Sequence, residues 1–260
     1  MITRLGLRVS DAELAFARLE SVLALGAEER EVDGLVEFAV YGEALPSDAE
    51  LRALAGETLV AVTREPVPDG WERAWHHHLE RVVVGSVAVR PPWIAGRDDD
   101  IVLEPGLSFG AAAHPTTRMC LRLLQELPPT ALADWGCGSG VLAIAAARLG
   151  FVPVVGVELD PAAASVARSN ARANGVEVDV RVGDVTRSPL LAATVVANLT
   201  LPLLTSVELH NQELWKSTLV ASGVIVGQAD LAAGAWAAHG FAEVERRELD
   251  GWAALVLERA

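Results

Sequence analysis

Apolar residues alternate with polar ones along "RLGLRV" (residues 4–9), which predicts a strand. They then recur at three- and four-residue spacing along "SDAELAFARLESVLALG" (10–26), which predicts an amphipathic helix. Ser10 followed by Glu13 has the form of a capping box at the start of that helix. "LVEFAVYG" (35–42) is a second apolar strand after the turn-like "EVDG", and "AEEREV" (27–32) before it has room for another. Ser47 opens a second capped helix, "SDAELRALAG" (47–56), and "TLVAVTREPV" (58–67) closes the module as a strand. The order β-α-β-β-α-β over residues 1–63 predicts a small α+β, ferredoxin-like domain.

Residues 64–100, rich in proline and tryptophan, read as a linker with a short helix and strand. Trp71 and Trp75 lie four apart on one helix face, a spacing that favours packing over ligand binding. His76, His77 and His78 occupy consecutive positions, which point in different directions on a helix and do not converge on one ion.

Residues 101–260 change pattern. Strands at "LADW", "VPVVGVELD", "VEVDVRVGD", "ATVVANL" and "STLVASGVIVG" alternate with helices at "VLAIAAARLG", "PAAASVARSNARANG", Pro202 to Trp215 and "DLAAGAWAAHG". Such alternation predicts an α/β fold, a mostly parallel sheet with helices on both faces. The last two strands, "FAEVERREL" and "WAALVLER", flank Asp250-Gly251, so they form an antiparallel pair at one edge.

Composition narrows the class. A chain of 260 residues with 51% hydrophobic and 22% charged residues fits one large or two modest globular domains. No window reaches the roughly 18 apolar residues of a membrane span, and the N-terminus lacks a basic segment followed by an apolar one. The expectation is a cytoplasmic protein with no membrane partner. Cys120 and Cys137 are too few for a disulfide framework, and no paired-cysteine or H-E-x-x-H spacing suggests a metal site. A net charge of −14 disfavours direct contact with nucleic acid and favours a basic protein partner.

The chemistry concentrates after the strand "LADW", where Gly136, Gly138 and Gly140 open a helix. In a doubly wound sheet this turn is where a nucleotide-like ligand approaches the backbone. The dinucleotide fingerprint is G-x-G-x-x-G, whereas the spacing here is G-x-G-x-G, with Asp134 before it. An acid beside the turn disfavours a pyrophosphate and favours a ligand with cationic groups, as in S-adenosylmethionine. Glu158, ending the next strand, is placed to accept hydrogen bonds from two ribose hydroxyls, with Asp160 as the following N-cap. Asp184, after the third strand, either meets an adenine amino group or is an ordinary loop acid.

"DWGCGSGVLAIAAARLG" with "VGVELDP" resembles the class I S-adenosylmethionine-dependent methyltransferases. The flanking "EPGLSFGAAAHPTTRMCLRLL" and "VVANLTLPLL" resemble the PrmA type, the methyltransferases of ribosomal protein L11, and the likeness runs along the chain. It implies a seven-stranded Rossmann-like domain, an N-terminal module that recognises the substrate, and transfer to lysine or N-terminal amines of L11. Phe109, Gly110, His114, Thr116 and Thr117 match the family's cofactor-pocket loop, and Asn198 matches the position beside the transferred methyl group. Ala111 and Ala112 stand where the family has Thr-Gly, removing a hydroxyl and a permissive glycine. Asn198 either orients the accepting amine through its carbonyl or caps the next helix. Three other readings remain at this level: a different acceptor, a cofactor-binding relative without transfer, and an NAD-dependent oxidoreductase. Oligomeric state is not legible.

Overall fold

The computed structural model describes residues 2–8, 19, 27–32, 34–41, 46–66, 80–104, 112–209 and 217–259. These fall into two compact units, Met1–His78 and Leu79–Ala260.

In the first unit, strands β1 (Ile2–Arg8), β2 (Ala27–Val32), β3 (Leu35–Tyr41) and β4 (Leu59–Glu65) form one antiparallel sheet in the order β2-β3-β1-β4. That order is the one expected of a ferredoxin-like module. Alternation in β3 turns Val36, Phe38 and Val40 to one side, where they join Leu5, Leu7 and Leu19. Helix α1 (Asp48–Ala55) seals this core with Leu51 and Ala55, one turn apart. Its capping box is complete: Ser47 Oγ accepts Glu50 N–H, and the Glu50 carboxylate accepts Ser47 N–H. The helix expected over residues 10–26, Trp71, Trp75 and the three histidines lie outside the described residues, apart from Leu19.

The second unit opens with a small sheet. Strands β5 (Val82–Val84) and β6 (Val87–Arg90) form a hairpin, and β7 (Ile101–Val102) runs parallel to β6. The main sheet follows. It contains β8 (Leu132–Trp135), β9 (Val154–Glu158), β10 (Asp179–Val182), β11 (Thr194–Asn198), β12 (Ser217–Ile225), β13 (Ala242–Leu249) and β14 (Trp252–Arg259), in the order β10-β9-β8-β11-β12-β14-β13. The first five are parallel; β14 is antiparallel to both β12 and β13. The two-residue loop of the final hairpin has φ of 50° at Asp250 and 81° at Gly251, the left-handed pair that matches strand twist.

Helices α2 (Pro115–Leu124), α3 (Val141–Arg148), α4 (Pro161–Ala173), α5 (Leu201–Thr205) and α6 (Ala229–Ala237) pack on this sheet. One core gathers Ala133, Trp135, Val195, Ala197, Leu219, Leu255 and Leu257 with Leu204 of α5 and Trp236 of α6. The intervening strand residues Leu132, Asp134, Val196, Val220 and Ser222 point to the opposite face. The helix expected from Pro202 to Trp215 is shorter than the sequence suggests. It ends at Thr205, and Glu208 donates its backbone N–H to the Thr186 carbonyl at 2.7 Å rather than to a preceding helical turn. Residues 210–216 lie outside the described residues.

Candidate functional site

The carboxyl ends of β8, β9 and β11 bring several of the singled-out residues to one side of the sheet. Gly136, Gly138 and Gly140 have φ of 69°, 52° and 83°, so the turn needs left-handed backbone at every second residue. Gly136 and Gly140 also answer a spatial demand. A Cβ on Gly136 would meet Leu199 Cδ2 at 2.5 Å, one on Gly140 would meet Ala167 Cβ of α4 at 3.2 Å, and one on Gly138 would project into open space. The turn is fastened underneath by Gly136 and Cys137 N–H, which both donate to the Val157 carbonyl at 2.8 and 3.0 Å.

Glu158 faces this turn from the end of β9. Its Oε2 accepts Gly138 N–H at 2.8 Å, and its Oε1 accepts Asp160 N–H at 3.0 Å. A carboxylate has about four lone-pair positions, so two hydrogen bonds leave one on each oxygen. Asp160 caps α4 as expected, accepting Ala162 N–H at 2.8 Å. Asp134 is buried, 1% exposed, and its Oδ2 accepts Ala143 N–H at 3.0 Å. It thereby supplies the acceptor at the N-terminus of α3 that Gly140, the N-cap residue, has no side chain to provide. Burial raises the Asp134 pKa to about 7, opposed by the Ala143 hydrogen bond and assisted by the Glu158 charge.

Asp184 sits just beyond Gly183, whose N–H donates to the Glu158 carbonyl at 2.9 Å. Its Oδ1 accepts from Thr186 N–H and Oγ1 at 2.9 and 2.6 Å, and these bonds hold its pKa below the usual carboxylate value. Asp184 Oδ1 is thus engaged within its own loop.

On the neighbouring strand, Asn198 Nδ2 donates to Thr117 Oγ1 at 3.2 Å, which turns the Asn198 carbonyl to the other edge of the amide. Asn198 does not cap the next helix; that position belongs to Thr200. Thr116 and Thr117 are both buried in the first turn of α2. His114 is its N-cap, with Nδ1 accepting Thr116 N–H at 3.4 Å and lying 2.7 Å from Thr116 Oγ1. An accepting Nδ1 places the ring proton of the neutral form on Nε2, and burial lowers the His114 pKa. Phe109, Gly110 and Ala111 lie outside the described residues. Ala112 is buried.

Two contributors escaped the sequence analysis. Trp252 meets the His114 ring edge-on with centroids 4.7 Å apart, and Leu199 fills the space that a Gly136 side chain would take. Trp252 has no local motif, and Leu199, although it lies within "VVANLTLPLL", gives no sign in the sequence of its packing on Gly136.

A family model described as ribosomal protein L11 methyltransferase (PrmA) matches residues 15–260. The chain belongs to this family. The L11 methyltransferase of Pelotomaculum thermopropionicum is 37% identical over 218 residues, which cover 78% of this chain and 70% of that protein. That of Symbiobacterium thermophilum is 34% identical over 200 residues, covering 72% of this chain and 65% of the relative. A crystal structure of ribosomal protein L11 methylase from Lactobacillus delbrueckii subsp. bulgaricus matches with a TM-score of 0.59 at 25% identity, covering 69% of this chain and 98% of that one. The PrmA fold, with its Rossmann-like seven-stranded sheet, is therefore common to both structures.

The turn of this PrmA-family chain fits S-adenosylmethionine better than a dinucleotide. The Gly138 N–H, which a pyrophosphate would need, is taken by a carboxylate, and the lone pairs left on Glu158 suit the two hydroxyls of one ribose. Ser139 Oγ is buried without a hydrogen-bond partner among the described residues, a polar atom left over within the turn. Among the described residues no group of three or more metal-ligating side chains occurs, and no helix is long and apolar enough to cross a membrane.

Proposed function

We propose that this chain is an S-adenosylmethionine-dependent methyltransferase that acts on ribosomal protein L11, with lysine side chains, the N-terminal α-amine or both as acceptors, working in the cytoplasm. The observation that carries the reading is the pairing of Glu158 with the glycine turn beside Asn198 with Thr117, on a chain whose family is that of the L11 methyltransferases.

S-adenosylmethionine, when bound, supplies an electrophilic methyl group whose sulfur departs neutral, so the protein's task is alignment rather than strong acid–base chemistry. Glu158 receives the ribose hydroxyls, while Gly136, Gly138 and Gly140 keep the backbone clear for the rest of the molecule. Thr117 fixes the Asn198 amide, and the Asn198 carbonyl accepts from the incoming amine, directing its lone pair. That amine must be neutral to attack. A lysine starts from a pKa of about 10.4 and an α-amine from about 8, and desolvation on docking lowers both. The His114 Nδ1 already accepts from Thr116 N–H, so that nitrogen is engaged within the helix cap rather than turned to the incoming amine.

The test is to incubate the protein with isotopically labelled S-adenosylmethionine and recombinant L11, then map the label by peptide mass spectrometry. Label on lysines or the N-terminus of L11 is expected. Label on other residue types, or on an added cell extract but never on L11, would contradict the acceptor assignment.

A further inference from the structure

Asn170 on α4, which has no part in the site as described, ties the glycine turn, which the cofactor reading needs, to Glu104, the residue that opens the "EPGLSFG" stretch of the sequence. It is 1% exposed. Its Nδ2 donates to the Ser139 carbonyl in the glycine turn at 3.0 Å, and its Oδ1 accepts Glu104 N–H, just beyond β7, at 3.0 Å. One helical turn later, Asn174 makes a related clamp: its Oδ1 accepts Val102 N–H at 2.9 Å and its Nδ2 donates to the Val102 carbonyl at 2.6 Å. The difference between the two is informative. Asn174 holds β7 and, through Nδ2, the Asn170 carbonyl of its own helix at 2.8 Å, whereas Asn170 spans β7's exit and the turn between Gly136 and Gly140.

A primary amide is well suited to such a bridge, because it donates to one backbone group while accepting from another. An aspartate would set a carboxylate oxygen against the Ser139 carbonyl. An aliphatic side chain would leave the buried Ser139 carbonyl and the part-buried Glu104 N–H without this partner, which is costly above all at Ser139. The bond to Ser139 also bears on a turn whose backbone is already held in left-handed conformations, so losing it changes the geometry offered to a ligand.

We propose that Asn170 is a positioning residue for cofactor binding, coupling the glycine turn to the Glu104 segment so that the two adopt their binding geometry together. The proposal rests on the S-adenosylmethionine reading above. It acts through backbone atoms, without contact between Asn170 and the cofactor.

The test compares Asn170→Ala and Asn174→Ala in the full chain, by calorimetric titration with S-adenosylmethionine, thermal unfolding and hydrogen exchange read by mass spectrometry. Asn170→Ala is expected to weaken cofactor binding by about tenfold or more, and to speed exchange at residues 102–104 and 136–140 together. Asn174→Ala is expected to lower the unfolding temperature and speed exchange at 102–104, with cofactor affinity unchanged. If Asn170→Ala does not fold, Asn170→Asp, which keeps the acceptor and loses the donor, serves the same comparison. Equal affinity in the Asn170 variant and the wild type would overturn the coupling alone, as would affinity losses at both positions that merely track lost stability. Wild-type protein that binds no cofactor would overturn the functional reading, and this inference with it.

Discussion

Asp134 shows how one residue in the turn can serve structure and constrain chemistry at once. The sequence placed an acid beside the glycines; the structure turns that acid under them, to cap α3. Its folded pKa of about 7 lies above the ordinary carboxylate value. The protonated form is therefore the one that the fold favours, and the stability it confers is present at low pH and lost as pH rises from about 4 to about 7. An asparagine side chain at this position would keep an oxygen for Ala143 N–H and never ionise. Asp134→Asn should thus match the wild type in denaturant midpoint near pH 4 and exceed it above pH 7, by an amount on the order of a few kcal/mol. A constant difference across that range would show that burial does not control this carboxylate. The need for an acid near the turn was legible from sequence, but its orientation was not, because alternation along β8 and the missing side chain at Gly140 decide it jointly.

At the scale of elements, local patterns were read well and long-range partners were not. The Ser47 capping box and the Asp250-Gly251 hairpin are each written within a few consecutive residues, and both formed as expected. Gly251→Ala tests the hairpin: with φ of 81° at that position, the substitution should destabilise the protein by roughly 1 kcal/mol, read as a lower urea midpoint. An unchanged midpoint would mean that the turn relaxes to another form. Helix α5 failed the local reading because its continuation loses to a backbone bond between Glu208 and Thr186. The pairs that organise the site have the same character: Thr117 and Asn198 are 81 residues apart, and Glu104 and Asn170 are 66 apart. No periodicity announces such partners. The motif resemblance identified Thr117 and Asn198 as site residues, but it said nothing about the bond between them.

For the whole molecule, charge and topology carry different parts of the argument. The sheet order puts the glycine turn, Glu158 and Asn198 at the carboxyl ends of adjacent strands, where open α/β sheets bind their ligands. A net charge of −14 suits recruitment of a basic protein acceptor, and such attraction is screened by salt. The apparent second-order rate of L11 methylation should therefore fall as ionic strength rises from low salt to well above physiological levels, chiefly through slower association. A rate that is flat or rises with salt would assign recognition to uncharged contacts instead. The alternation of strands and helices made the fold class legible, since a parallel sheet buries both faces of its strands; the acceptor entered through family likeness alone. The most direct test of the central claim compares wild-type protein with Asn198→Ala in one preparation series, measuring S-adenosylmethionine affinity by calorimetry and methyl transfer to L11 by label incorporation. The site described here predicts equal affinity and transfer reduced by about a hundredfold or more in the variant. Equal turnover in both proteins, or cofactor binding without any transfer by the wild type, would contradict it.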